Sequence, residues 1–591
     1  MKRYLPIILI LFITGLSFAG DIYTAKEKDL PDWARQGKFR FLRVDGGRIE
    51  AIKASFTAWG AGFSEEEKDV LWHVYDRHGE DMIRYLKQAH IDWIWITWSN
   101  GFSLKEESEN RALCKHFLEL CHQDNIKVTA YLSLSNMFWH NMFIDEPQSI
   151  NWVQLRDGMP VNYGGPHNIE RYLADINNQG WRDYIKERVQ LAFEAGFDAL
   201  FFDNLQNEKE GMKTMFSEIQ EMAVDFAKKT GKPKPVLFVN VHLNPERLDV
   251  NEICEAVWNE YGRSTPGVWG DVWWVDNIRK TRYIKGDLPV WKPQFYDIPI
   301  TYRGTRETDI YTPKEEKLSV AEAVAFGSTL ARNIEGLFLK SLIKKEQQAL
   351  TAWEYMSQYN AFTHENEHLY VDAQPVSHVL VLTKFDPLVI DETSLLDAKL
   401  QDMLSRASIQ YDMVTIQRLR QFERDKKYKA VVVPPSIELT KNDINYLKQF
   451  LSDDARILVS ESHEKSDDRF VSYSENEMQD IYENGKSMSF LGKLTSLAQS
   501  DLVHIDQPYV LASLMEVPAQ KQRVLHILNY DNRIVDQVTV DLSGLTKKTG
   551  TDIRVLSPDD VQTSASVSES GSDSMKLIIQ NLDTYAVIVL K

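Results

Sequence analysis

The chain has 591 residues, with 68 Lys and Arg against 86 Asp and Glu, for a formal charge of −18. A span of roughly 100–200 residues per domain makes that about three folded units, and apolar and charged fractions of 43% and 26% place it among ordinary globular proteins. A surface this acidic repels phosphate, so no nucleic-acid partner is expected.

Lys2 and Arg3 precede an apolar run from Leu5 to Leu16, and Ser17-Phe18-Ala19 places small residues where a signal peptidase cuts. Residues 1–19 therefore read as a signal peptide, and the protein as exported to the periplasm or beyond. No cysteine follows to carry a lipid anchor, and the run is short for a spanning helix. No stable membrane insertion is expected once the peptide is cleaved.

From Phe39 onward, short apolar runs alternate with longer amphipathic ones, the pattern of a parallel sheet covered by helices. The runs predict strands at 39–47, 91–101, 126–136, 197–204, 235–244, 254–262 and 288–297, with an eighth near 336–339. Helices are predicted over 66–89, 105–124, 180–195, 210–230 and 319–332, and a long aromatic-rich loop precedes the fourth strand. Apolar residues at nearly every strand position suit burial on both faces. The expected fold class is α/β, with a (β/α)8 TIM barrel over 20–372. Cys114, Cys121 and Cys254 make no disulfide framework. Cys114 and Cys121 lie two helical turns apart, too far to bridge, so buried thiols are expected.

The first seven predicted strands carry hydrogen-bonding or aromatic groups toward their carboxyl ends, where the loops of such a barrel converge on an active site. These are Asp45, Trp98, Asn100, Asn136, Asp203, Asn204, Asn240, His242, Trp258, Glu260, Tyr261 and Gln294. Aromatic faces stack on the apolar face of a pyranose, and amides and carboxylates bind its hydroxyls, so the series reads as a site for an oligo- or polysaccharide. Asp203 ends the run Ala-Leu-Phe-Phe-Asp, and Glu260 ends Ala-Val-Trp-Asn-Glu. Two such carboxylates flank the scissile bond in glycoside hydrolysis, about 5–5.5 Å apart when configuration is retained. Asp203 is the expected nucleophile and Glu260 the acid/base, with the other ten residues as substrate contacts. Asp45 is a reserve acid, though Gly46 and Gly47 equally suggest a turn. His242 reads as a sugar ligand, a metal ligand or a core residue.

No cofactor is expected, because neither a Gly-rich phosphate fingerprint nor Cys/His metal spacing occurs. Two rival readings remain at this stage. One is a carbohydrate-binding protein on a degenerate barrel; the other is a metal-assisted hydrolase using Asp45, His242 and Asp203.

The segment Gly-Phe-Asp-Ala-Leu-Phe-Phe-Asp-Asn (196–204) resembles the strand-four motif of several glycoside hydrolase families, α-galactosidase-like enzymes among them. That resemblance implies a nucleophile at Asp203 and an acid/base at Glu260, where an aspartate is commoner. Downstream, VSHVLVLT (376–383), YDMVTI and the segment 428–460 resemble the flavodoxin-like trimerisation domain of family 42 β-galactosidases. RVLHILNYD (523–531) through YAVIVLK resembles their closing β-sandwich. The expected organisation is thus a flavodoxin-like domain over 373–500 and a β-sandwich over 501–591. The resemblance implies a homo-oligomer formed through the flavodoxin-like domain. The barrel departs from that family, whose strand four ends in Asn-Glu and whose strand seven ends in a glutamate. Here the corresponding runs are Asp-Asn and WKPQFY, so the architecture carries over and the β-galactosidase activity does not.

Overall fold

A computed structural model describes residues 30–44, 49, 64–163, 171–205, 209–240, 250, 253–260, 294–298, 311–334, 336–383, 400, 403–416, 419, 427–463, 468–474, 477, 489–498, 503–543, 552–571 and 574–590. The expected signal peptide, Asp45, His242 and Tyr261 lie outside them.

Eight parallel strands close into a barrel in chain order. They are β1 (Phe41–Val44), β2 (Trp93–Ser99), β3 (Lys127–Ser133), β4 (Ala199–Asp203), β5 (Val236–Asn240), β6 (Ala256–Glu260), β7 (Gln294–Ile298) and β8 (Thr329–Ile334). Helices α1 (Glu65–Trp72), α2 (Gly79–Gln88), α3 (Ser108–Gln123), α4 (Gln179–Ala195), α5 (Lys209–Thr230), α6 (Pro313–Ala325), α7 (Gly336–Ile343) and α8 (Gln347–Glu365) belong to the same unit.

Local chemistry explains where the elements stop. Asn178 caps α4 by accepting from the N–H of Gly180 and Trp181, and Gly196 ends it at φ 99°. A left-handed residue at that position favours glycine. The chain then enters β4, whose start is pinned because the Asp198 carboxylate accepts from Val128 N at 3.0 Å, Lys127 Nζ at 3.0 Å and His122 Nε2 at 2.8 Å. Burial works against that charge, but these donors hold the Asp198 carboxyl below the usual range.

Four expectations need correction. The helix expected over 66–89 is two helices, α1 and α2, separated by a turn at 73–78. The eighth strand is Thr329–Ile334, and the segment from Gly336 is helical. Thr312 forms a capping box with Glu315 and Pro313 takes the first helical turn, so α6 begins earlier than apolar periodicity suggests. Gly327, at φ 75°, then turns the chain toward β8. The third strand stops at Ser133; Asn136–Phe138 pairs instead with Arg171–Leu173 in a separate two-stranded sheet.

Alternation divides the barrel strands between two cores. Leu200 and Phe202, Leu237 and Val239, and Ile94, Ile96 and Trp98 face the helices. Phe41, Trp93, Trp95, Tyr131, Ala199, Phe201, Phe238, Trp258 and Ala331 fill the lumen. The aromatic lumen is closely packed: Trp95 stacks on Trp258 at 4.8 Å and 8°, and Phe201 meets both. Each such ring pair adds about 0.5–1.5 kcal/mol beyond burial of its area. All three cysteines are buried and unbridged.

Two further units follow. Strands β10 (Val379–Thr383), β11 (Tyr411–Thr415), β12 (Tyr428–Val432), β13 (Leu451–Ser460) and β14 (Phe470–Tyr473) form a parallel sheet of order β11-β10-β12-β13-β14, the flavodoxin order. The last unit packs two antiparallel sheets face to face. One joins β9 (Gln374–Pro375), β16 (Val510–Val517), β17 (Gln522–Asn529), β22 (Tyr585–Leu590) and β19 (Ile553–Leu556). The other joins β15 (Val503–Ile505), β18 (Val535–Ser543), β21 (Ser574–Leu582) and β20 (Ser564–Ser570). Strand β9 joins this sandwich before the chain enters the flavodoxin-like sheet. The sandwich is bolted to α6 and α8 through Asp559. One carboxylate oxygen accepts from Lys317 Nζ at 3.0 Å and Tyr359 OH at 2.7 Å; the other accepts from the N–H of Thr584 at 2.8 Å and of Tyr585 at 3.0 Å.

Candidate active site

Lumen side chains of a (β/α)8 barrel lie in layers contributed by alternate strands. Trp95, Phe201, Trp258 and Ala331, from β2, β4, β6 and β8, belong to the lumen core, and the three rings touch one another as one layer. Two residues farther along the same strands stand Thr97, Asp203, Glu260 and Asn333. Backbone register agrees: Phe202 pairs with Val239 and Asn240 with Trp258, so the rung through Asp203 reaches β6 at Trp258. A slip of about one residue per strand in a barrel of this shear brings Glu260 to the height of Asp203. The backbones of Asp203 and Glu260 thus stand at one level at the carboxyl end of the barrel. The side chain of Glu260 is outside the described residues.

Asp203 is half-buried and closely held. Tyr131 OH, from β3, donates to Oδ2 at 2.9 Å; Asn240 Nδ2, from β5, donates to Oδ1 at 3.0 Å; and the N–H of Asn204 donates to Oδ1 at 2.7 Å. Neighbouring strands on both sides therefore fix the carboxylate. The aromatic floor below lies in the layer of Trp95 and Trp258, with the Arg43 guanidinium 4.5 Å above the Trp95 ring. Arg43 shares register with Asn333 and Trp95, so β1 contributes a cation to the same end of the lumen.

The rim beside β2 is set by a buried ion pair. Glu107 Oε1 accepts from the N–H of Asn100, Gly101 and Phe102 at 2.8, 3.1 and 3.2 Å. Its Oε2 lies 3.2 Å from Arg188 Nη1, an ionic contact without in-line hydrogen-bond geometry. Arg188 also donates to Ser99 Oγ and the carbonyl of Phe102. Burial works against the Arg188 charge, but Glu107, joined by Tyr184 and Glu146, holds the guanidinium above its ordinary range. The loop docks on the next strand end: Phe102 stacks on Phe138 at 3.8 Å, and a Cβ on Gly101 would lie 2.3 Å from the carbonyl oxygen of Asn136.

The other expected contacts divide by parity and depth. Asn204 and Asn240 are at the mouth, hydrogen-bonded into the Asp203 cluster. Asn136 is buried beside the Gly101 loop, with neither amide atom hydrogen-bonded. Asn100 is buried in the rim loop, its N–H bound to Glu107. Trp98 is not at the mouth: it is on the helix-facing side of β2, donating to the Arg188 carbonyl at 3.4 Å and packing edge-on against Phe197. Trp258 lies one layer too deep, fully buried against Trp95. Gln294 begins β7, its backbone in register with Val257, so it stands at the amino end of the strand. The residue of β7 in register with Glu260 is Asp297. Asp45, His242 and Tyr261 lie outside the described residues, and with them two of the three ligands of the metal-assisted reading.

Tyr131, Ser133, Arg43 and the Glu107–Arg188 pair were missed. Tyr131 carried a usable signal, because it sits two positions before Ser133 on a strand whose parity is set by Thr129. A cavity of about 30 Å³ lined by Gln36, Phe41, Thr329 and Asn360 lies at the opposite, amino-terminal end of the barrel. It has room for about one water and holds none of these groups.

No protein-family model matches this chain, and no curated protein does. Solved structures do. An α-L-fucosidase, isoenzyme 2 from Paenibacillus thiaminolyticus, is 14% identical with a TM-score of 0.64, over 94% of this chain and 99% of its own. A β-galactosidase from Rahnella sp. R3 is 10% identical with a TM-score of 0.57, over 96% and 99%. A β-galactosidase from Bacillus circulans sp. alkalophilus is 11% identical with a TM-score of 0.53, over 87% and 97%. At these identities the likeness is one of fold, and it extends over nearly the whole chain.

Proposed function

We propose that this chain is an exported glycoside hydrolase that cleaves an O-glycosidic bond in an oligo- or polysaccharide with retention of configuration. The observation that carries the reading is the Asp203 carboxylate, half-buried at the carboxyl end of β4 and gripped by donors from β3 and β5 and by the backbone of Asn204. A carboxylate used as a nucleophile needs that fixed aim, since misplacement by about 1 Å costs on the order of 100-fold in rate. Glu260, whose backbone stands at the same level two strands on, is taken as the second group. The fold neighbours named as fucosidase and β-galactosidases support the same reaction class.

In this mechanism Asp203 attacks the anomeric carbon as the bond to the leaving oxygen breaks, and Glu260 gives that oxygen its proton. Water then attacks the glycosyl-enzyme, Glu260 takes the water proton, and Asp203 leaves as a carboxylate. No cofactor enters either step. The flavodoxin-like domain is proposed to join copies of the chain into a homo-oligomer.

The test is hydrolysis of a panel of aryl α- and β-glycosides by the wild type and Asp203→Asn. Turnover by the wild type that falls at least about 10³-fold in the variant supports the reading. Equal rates in both remove Asp203 from the chemistry. Glycan binding without turnover in either would favour a binding protein.

A further inference from the structure

Asn204 was expected to contact substrate, but its side chain is committed elsewhere. Its Nδ2 donates to Ser133 Oγ at 2.9 Å and to Tyr131 OH at 3.3 Å. Its N–H donates to Asp203 Oδ1, and its carbonyl accepts from Ser135 Oγ. The residue is almost fully buried and takes φ 58°. Asparagine tolerates that left-handed conformation better than other non-glycine residues. Turning the backbone there brings the amide to β3 just where the chain leaves β4.

We infer that Asn204 is a positioning residue for Asp203, acting directly through its backbone N–H and indirectly through Tyr131. The inference rests on the glycosidase reading above. A phenol oxygen that accepts from Asn204 must point its own hydrogen elsewhere, and Asp203 Oδ2 at 2.9 Å receives it. The amide thus selects which way the Tyr131 hydroxyl points. Chains of this kind strengthen each member, because a donor that also accepts is more polarised. Ser133 holds the amide from the far side, so the relay Ser133–Asn204–Tyr131–Asp203 is closed within two adjacent strands.

The experiment compares wild type, Asn204→Gly, Tyr131→Phe and their double variant on the best aryl glycoside. Glycine keeps the left-handed backbone and the N–H while deleting the amide. The expected result is a kcat lowered about tenfold or more in each single variant, KM within about twofold, and a double variant little worse than the poorer single one. Non-additivity of that kind marks residues acting as one unit. Asn204→Asp, which keeps size and backbone preference, should show the same kcat loss and covers any folding defect in the glycine variant.

A raised KM with unchanged kcat in Asn204→Gly would make the residue a substrate contact and overturn the inference. So would additive losses or wild-type kinetics. Asp203→Asn run beside them separates the two claims. If it is inactive while the Asn204 and Tyr131 variants are normal, only this inference fails; if it is active, the glycosidase reading fails first.

Discussion

Replacing Glu107 with Gln changes one oxygen to an NH2 at a fully buried position and should cost far more than its size suggests. The remaining oxygen can still accept from Asn100, Gly101 and Phe102, so most of the loss comes from the charge. Arg188 is 1% exposed, and Arg111 Nη1 lies 3.8 Å from the same carboxylate oxygen. Both would be left facing an amide donor. A buried cation stripped of its partner costs about 3–5 kcal/mol. At roughly 2 °C per kcal/mol for a large domain, that is a drop of about 6–10 °C in the barrel's own transition. Calorimetry of the whole chain reads it, because the three units need not melt together. Because the same carboxylate holds the rim loop beside Asn136, kcat/KM should fall as well. Adding Arg188→Met to Glu107→Gln should recover about 1–3 kcal/mol relative to the sum of the single losses. A Gln variant that melts and turns over like the wild type would refute the claim that this pair builds the rim.

Asp559→Asn should loosen the sandwich from α6 and α8, because Lys317 keeps only Asp583, at 3.2 Å, of its two carboxylate partners while the amide retains an acceptor for only part of the network. The expected loss is about 2–4 kcal/mol, read as earlier proteolytic release of residues 503–590 with barrel activity preserved; unchanged protease resistance would contradict it. At the same seam Lys314 donates to the Asp583 carbonyl at 2.9 Å and Thr584 Oγ1 at 3.1 Å, and burial lowers its pKa to about 8. Between pH 8 and 10.5 the unfolded chain holds a proton that the folded one has released, so this lysine makes stability rise with pH across that window. Lys314→Met should lack that rise in a pH series of denaturant melts, and an identical slope in both proteins would show that the amine is not desolvated.

Much of the fold was legible because periodicity encodes it. Runs such as ALFF and VLFV are apolar throughout, which suits strands buried on both faces; six of the eight barrel strands fall within their expected spans, and β7 overruns its span by one residue. The eighth was misplaced because Thr312, Pro313 and Gly327 punctuate the chain more strongly than its apolar period does. At the site, reading polar residues near strand ends found Asp203, Asn204 and Asn240, which share the mouth. It failed wherever parity or depth decides. Trp98 is an odd step from Trp95 and faces the helices, and Trp258 is an even step short of the mouth and fills the floor. Gln294 failed because β7 begins there rather than ending there. Tyr131 was missed because only its hydroxyl, not its position on β3, reaches the carboxylate. Glu107 and Arg188 are 81 positions apart, and nothing local ties them together.

The central claim, that Asp203 is a nucleophile, is tested most directly by adding azide to Asp203→Gly with the best aryl glycoside. A retaining enzyme so altered should regain turnover with azide, which enters from the face the carboxylate vacated, and should release a glycosyl azide of inverted anomeric configuration. Failure of azide to restore turnover, with full activity lost on Glu260→Gln alone, would contradict the assignment and move the nucleophile off β4.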